Sequence, residues 1–220
     1  MKISFGRRFT VETPWAIELP RHALWLIPLF VLALLVFSPE AALLGMLAML
    51  AVVGERGRLD AKLSCRTAPF RSFLHLLWLL PLVVICNGLL TLLWLAAMRK
   101  IGLHFNSEQD VARMLYDSGG AGRLQMLFLI LVVAPVFEEL FYRRLLFNLL
   151  LPLGGIAAFI LTALIFSLSH AFAAGVPALF LLGSVFQFTY IKSGDIMYPI
   201  VFHILFNFNS TLMIIYFGSM

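Results

Sequence analysis

Along this 220-residue chain, polar positions come in short clusters with long apolar runs between them, and the alternation expected of strands is missing. Apolar runs occupy 22–37 and 41–54, parted by Ser38-Pro39-Glu40, where a proline and a charge mark a turn. Taken as one helix, 22–54 would reach roughly 50 Å at about 1.5 Å per residue. A hydrocarbon core is about 30 Å thick, so the pattern predicts two short spans. Runs at about 72–98, 124–151, 156–173, 174–191 and 196–218 predict five more. Residues 101–123 are mixed polar. There Ser107 and Asp110 stand at capping-box spacing ahead of Val111, Met114 and Leu115, followed by Ser118-Gly119-Gly120-Ala121-Gly122. This predicts a short surface helix and then a flexible turn. The expected fold is all-α, a polytopic membrane helix bundle of about seven transmembrane helices, with no internal repeat and no barrel.

Composition removes the soluble alternative. The chain is 62% hydrophobic and 12% charged, which leaves too little polar surface to cover a water-facing core. A formal net charge of +5 would suit a nucleic-acid partner, but the basic residues gather beside the apolar runs. Lys2, Arg7, Arg8 and Arg21 precede the first run, and Arg56, Arg58, Lys62, Arg66 and Arg71 fill a basic loop at about 55–71. By the positive-inside rule both regions face the cytoplasm, and the partner is the lipid bilayer rather than nucleic acid. Arg99-Lys100 runs against that rule, because it lies one span beyond the basic loop, at an end that should be non-cytoplasmic. Cys65 and Cys86 form no CxxC and no paired framework, so neither a disulfide nor a cysteine metal site is expected. The first apolar run follows about twenty mixed residues with no A-x-A site, so it reads as a retained span rather than a signal peptide. Short loops, and a sole sequon, Asn209-Ser210-Thr211, set inside a span, favour a bacterial inner membrane. Two regions result: 1–123, with the basic loop and the polar surface segment, and 124–220, where the chemistry-bearing residues lie.

Inside 124–151 stands Glu138-Glu139-Leu140-Phe141-Tyr142-Arg143-Arg144. A charged group at a helix centre costs roughly 2.5–3.5 kcal/mol on insertion scales, so such groups persist when paired, turned inward or functional. Glu139 and Arg143 are four apart, in the favoured order for an ion pair. Glu138 projects about 140° from Arg143 at about 100° per residue, is less readily neutralised, and is the candidate general base. Arg144 reads as an interfacial, snorkelling residue. Phe166 and His170 share a helical face, so the phenylalanine can wall one side of the imidazole. His203 and Asn207 share another, offering an imidazole and a carboxamide together. Taken singly, an intramembrane His or Asn is more often an interhelical hydrogen-bonding residue, and an ion pair is more often structural. Taken together, a carboxylate, two imidazoles, a carboxamide and a fixed ion pair on three helices supply what general-base hydrolysis with oxyanion stabilisation requires.

At these residues the sequence resembles the CAAX-protease and bacteriocin-processing family of glutamic intramembrane endopeptidases, the group of the type II CAAX prenyl endopeptidase. EExxxR is met by Glu138 to Arg143, FxxxH by Phe166 to His170 and HxxxN by His203 to Asn207, in that order. The resemblance covers about 124–210 and implies an endopeptidase acting on a membrane-associated protein or peptide. It implies that Glu138 and His170 activate water and that His203 and Asn207 form the oxyanion hole. Glu139, Arg143 and Phe166 would position the site, and no metal or other cofactor would take part. Three alternatives stand beside it. A zinc peptidase could use the same Glu and His residues, although HExxH is missing. A non-proteolytic scaffold or immunity protein could keep the fold. A proton-coupled carrier would also bury Glu, Arg and His, although the sequence lacks the repeats that carriers show.

Overall fold

The computed structural model describes residues 2–4, 10–12, 70–105, 115 and 117–217. Five helical segments dominate: α1 Phe70–Lys100, α2 Gly120–Leu153, α3 Gly155–Ser169, α4 Val176–Ser193 and α5 Met197–Phe217. They correspond to the five spans expected from 72 onward. Four are long and apolar enough to cross a membrane, while α3, at 15 residues, is shorter. The two spans expected at 22–37 and 41–54, residues 55–69 of the basic loop, and the Ser107–Asp110 cap lie outside the described residues, while Arg71 of that loop falls in the first turn of α1. The apolar pattern did not foreshadow two three-residue strands, Lys2–Ser4 and Thr10–Glu12, which pair antiparallel with Ile3 opposite Val11.

Chain geometry sets the helix ends. The glycine cluster expected as a flexible turn belongs in part to the first turn of α2, because Gly119 O accepts the N–H of Gly122 at 3.0 Å and starts the helix at Gly120. At its far end α2 tightens into a 3-10 turn over Leu151–Leu153 and stops at Gly154, whose φ of +100° suits only glycine. The run expected to continue to 173 breaks at His170, after which Ala171 takes a φ of 49° and a 3-10 turn, Ala173–Gly175, leads into α4. Gly194, left-handed with φ 69°, closes α4. Asp195 Oδ1 then accepts the N–H of Met197 at 2.9 Å and opens α5.

Most of α1 is exposed, including Trp78, Leu92 and Leu93, a surface suited to lipid. Its Trp94 Nε1 donates to Ala173 O at 3.0 Å, tying α1 to the turn before α4. The most extensive contact among the described helices joins α3 and α4, where Gly183 meets Ala163 and Phe166. Small residues permit such approach where lipid removes the hydrophobic drive between helices. The core gathers Phe141, Tyr142, Leu146, Phe147, Phe166, Phe186 and Phe202. No residue of Gly120–Val133 in α2 is buried, whereas nearly all of Leu140–Leu150 is. The ionisable groups stand where this one helix passes from outer wall to core.

Candidate active site

The helix that carries Glu138 and Glu139 is not a uniform α-helix. Ala134–Glu139 is α-helical, but it lies between π-helical stretches at Leu129–Val133 and Leu140–Leu146. Such turns recur at functional sites because they re-aim side chains within a continuous helix. Glu139 is fully buried, and its Oε2 forms an ion pair with Arg143 Nε at 3.0 Å. Its Oε1 lies 2.9 Å from His203 Nδ1, so one carboxylate bridges α2 to α5. A carboxylate can only accept, so His203 donates from Nδ1.

Arg143 is also fully buried. Its Nη2 donates to Gly183 O at 3.2 Å, and its Cζ lies 4.7 Å from the Phe166 ring centre, 5.3 Å from that of Phe186 and 5.7 Å from that of Tyr142. The guanidinium is thus compensated by one carboxylate, one carbonyl and three aromatic faces, the environment a buried arginine requires. Arg144 is half-buried, and its carbonyl accepts from Asn148 Nδ2.

Glu138 points elsewhere. Its Oε2 lies 3.9 Å from His170 Nε2 and 3.9 Å from His203 Nε2, too far for direct hydrogen bonds but within reach of a bridging group. The side chains of Glu138 and His170 are 21% and 29% exposed, against 4% for His203, so the first two are the accessible members of the cluster. His170 Nδ1 lies 2.7 Å from Phe166 O. A carbonyl only accepts, which puts the proton on Nδ1 and, in the neutral ring, leaves the Nε2 lone pair facing Glu138. The Phe166 ring stands edge-on to His170 with centroids 4.7 Å apart, and the Phe186 ring lies over His203 at 4.5 Å. Asn207, one turn beyond His203 on α5, donates from Nδ2 to Ile130 O at 3.0 Å.

Six of the seven residues singled out from the sequence therefore meet in one cluster, and Asn207 reaches α2 at Ile130. Other contributors went unremarked in the sequence. Ser169 Oγ donates to Phe166 O at 2.8 Å and pairs with Tyr142 OH at 2.5 Å, so both support the carbonyl that orients His170. They are polar residues inside the quoted motifs, a signal that was available. Gly183 and Phe186 carry no local signal, because their role is set by what α4 packs against. Among the described residues, no group of three His, Cys, Asp or Glu is arranged to hold a metal ion.

The four apolar helices among the described residues define an integral membrane helical protein, and its second half carries the carboxylate–imidazole cluster. Residues 120–209 match the family model described as type II CAAX prenyl endopeptidase Rce1-like, so the resemblance to the CAAX-protease family read from the motifs is shown over that stretch, which includes all three. None of the curated proteins and none of the solved structures compared matches the chain.

Proposed function

We propose that the protein is an intramembrane endopeptidase that hydrolyses a peptide bond of a membrane-associated or lipidated protein or peptide. The observation that carries this reading is the approach of Glu138 Oε2 to two imidazole Nε2 atoms at 3.9 Å each, beside a fully buried Glu139–Arg143 pair. A water held between Glu138 Oε2 and His170 Nε2 can direct one hydrogen to each, because both are acceptors. Its oxygen lone pair is then free to attack the scissile carbonyl. The proton leaves to Glu138 or His170 as the carbon–oxygen bond forms, and passes to the leaving amine as the carbon–nitrogen bond breaks. No acyl-enzyme forms.

The developing oxyanion needs donors. Asn207 Nδ2 has a second N–H beyond the one given to Ile130. His203 already donates from Nδ1, so its Nε2 can donate only as imidazolium. Its Nε2 lies 3.9 Å from Glu138 Oε2, so a carboxylate stands on each side of the ring. Donors fixed in place beforehand need no reorganisation as the charge develops. In this reading the chain sits in a bacterial inner membrane with its basic N-terminus in the cytoplasm, which the clusters at 1–21 and 55–71 support.

The deciding experiment is cleavage of a membrane-peptide library by purified wild type, Glu138→Ala and His170→Ala, with a strong chelator in parallel. The reading expects cleavage that survives chelation and disappears in both variants while they remain folded. Full activity in Glu138→Ala rejects the base assignment. Loss under chelation that zinc restores moves the assignment to a metallopeptidase, and absence of any cleavage favours a scaffold.

A further inference from the structure

In the first π-helical turn of α2, the N–H of Ala134 reaches back five residues to Leu129 O. In an α-helix that N–H would serve Ile130 O. A five-residue register would give Ile130 O the next N–H, at position 135, but residue 135 is a proline and has none. The Ile130 carbonyl is left without a donor from its own helix at either spacing. Within a bilayer, a bare carbonyl must find a partner inside the protein. The partner comes from α5, as Asn207 Nδ2 lies 3.0 Å from Ile130 O. A planar carboxamide anchored through one N–H has the direction of its other N–H fixed as well.

We propose that Pro135 is a positioning residue of the hydrolytic site. It withholds the N–H that would close on Ile130 O, and so creates the acceptor that anchors the Asn207 carboxamide and aims its second N–H at the oxyanion. Pro135 itself touches no substrate. The catalytic half of this inference rests on the peptidase reading, whereas the coupling of Pro135 to Asn207 does not.

The test compares wild type, Pro135→Ala, Asn207→Ala and the double variant by thermal unfolding in detergent and by steady-state cleavage. Asn207→Ala lowers Tm, because Ile130 O loses its donor. Adding Pro135→Ala recovers most of that loss, because the restored N–H at 135 takes over the carbonyl, so the effect of Pro135→Ala on Tm is more favourable in the Asn207→Ala background than in wild type. The same effect in both backgrounds overturns the anchor. If Asn207→Ala fails to fold, recovery of folded protein in the double variant supports the anchor and continued failure overturns it. In cleavage, Pro135→Ala alone lowers kcat by roughly 10- to 100-fold with KM unchanged, less than outright loss of an oxyanion donor. An unchanged kcat alongside lost cleavage in Asn207→Ala overturns the positioning role. Absence of cleavage by wild type rejects the peptidase reading and with it the catalytic half, and the unfolding comparison still decides the anchor.

Discussion

Glu139 Oε1 lies 2.9 Å from His203 Nδ1, and the same carboxylate holds Arg143 with its other oxygen. This contact fixes which nitrogen of His203 faces the centre, because a carboxylate accepts and so demands a proton on Nδ1. Glu139→Gln keeps the shape but offers one oxygen to two donors, so either Arg143 or His203 loses its acceptor. The expected result is a kcat lower by about 10²–10³ with KM little changed, the size of a lost oxyanion contact. Steady-state kinetics on a cleaved membrane peptide check it, and a wild-type kcat would show that His203 needs no orienting carboxylate.

Arg143 is a different kind of dependence, because everything around it compensates its charge. Removing it in Arg143→Ala leaves Glu139 buried and unpaired and opens space among Phe166, Phe186 and Tyr142, at a cost of about 3–5 kcal/mol. Arg143→Lys retains a cation but cannot reach Glu139 and Gly183 O while lying across three rings, so an intermediate loss is expected. Detergent-solubilised yield and Tm report both, and an Arg143→Ala protein with wild-type Tm would contradict the pairing argument.

Gly183 permits the contact on which the aromatic wall depends. A Cβ there would stand 2.8 Å from Phe166 Cδ1 and 3.4 Å from Ala163 Cα, so the ring must shift or the helices must part. Gly183→Ala should cost about 1–3 kcal/mol, the range for overpacking. It should also reduce cleavage, because the Phe166 ring packs against both His170 and the Arg143 guanidinium. Thermal unfolding and kcat measured together test this, and a variant unchanged in both would mean that α3 and α4 have room to spare.

How much of this was legible in the sequence depends on the range of the interaction. Spacings of four residues placed Phe166 beside His170 and Glu139 beside Arg143, because one helical turn settles such pairs without any fold. The five apolar runs from 72 onward became five helices for the same reason, since a bilayer leaves the backbone few other choices. The bridge from Glu139 to His203, by contrast, spans 64 positions and depends on how α5 lies against α2. The π-helical turns were hidden because apolar periodicity over a lipid-facing run does not separate one helical register from another. Pro135 was a visible clue, for a proline inside an apolar run always strips some earlier carbonyl of its donor.

The π-helical turns of α2 give it an angular setting as well as a length. Each i→i+5 bond encloses one residue more than an α-helical turn, which offsets the downstream residues by about 100° around the axis. Glu138 and Glu139 lie after the first such offset and before the second. A span of 34 residues has length to spare, so losing one residue from 129–133 would still leave a helix able to cross the bilayer. It would also swing both carboxylates away from the imidazoles, so that the insertion of the helix and the aim of its acidic groups are governed by different residues.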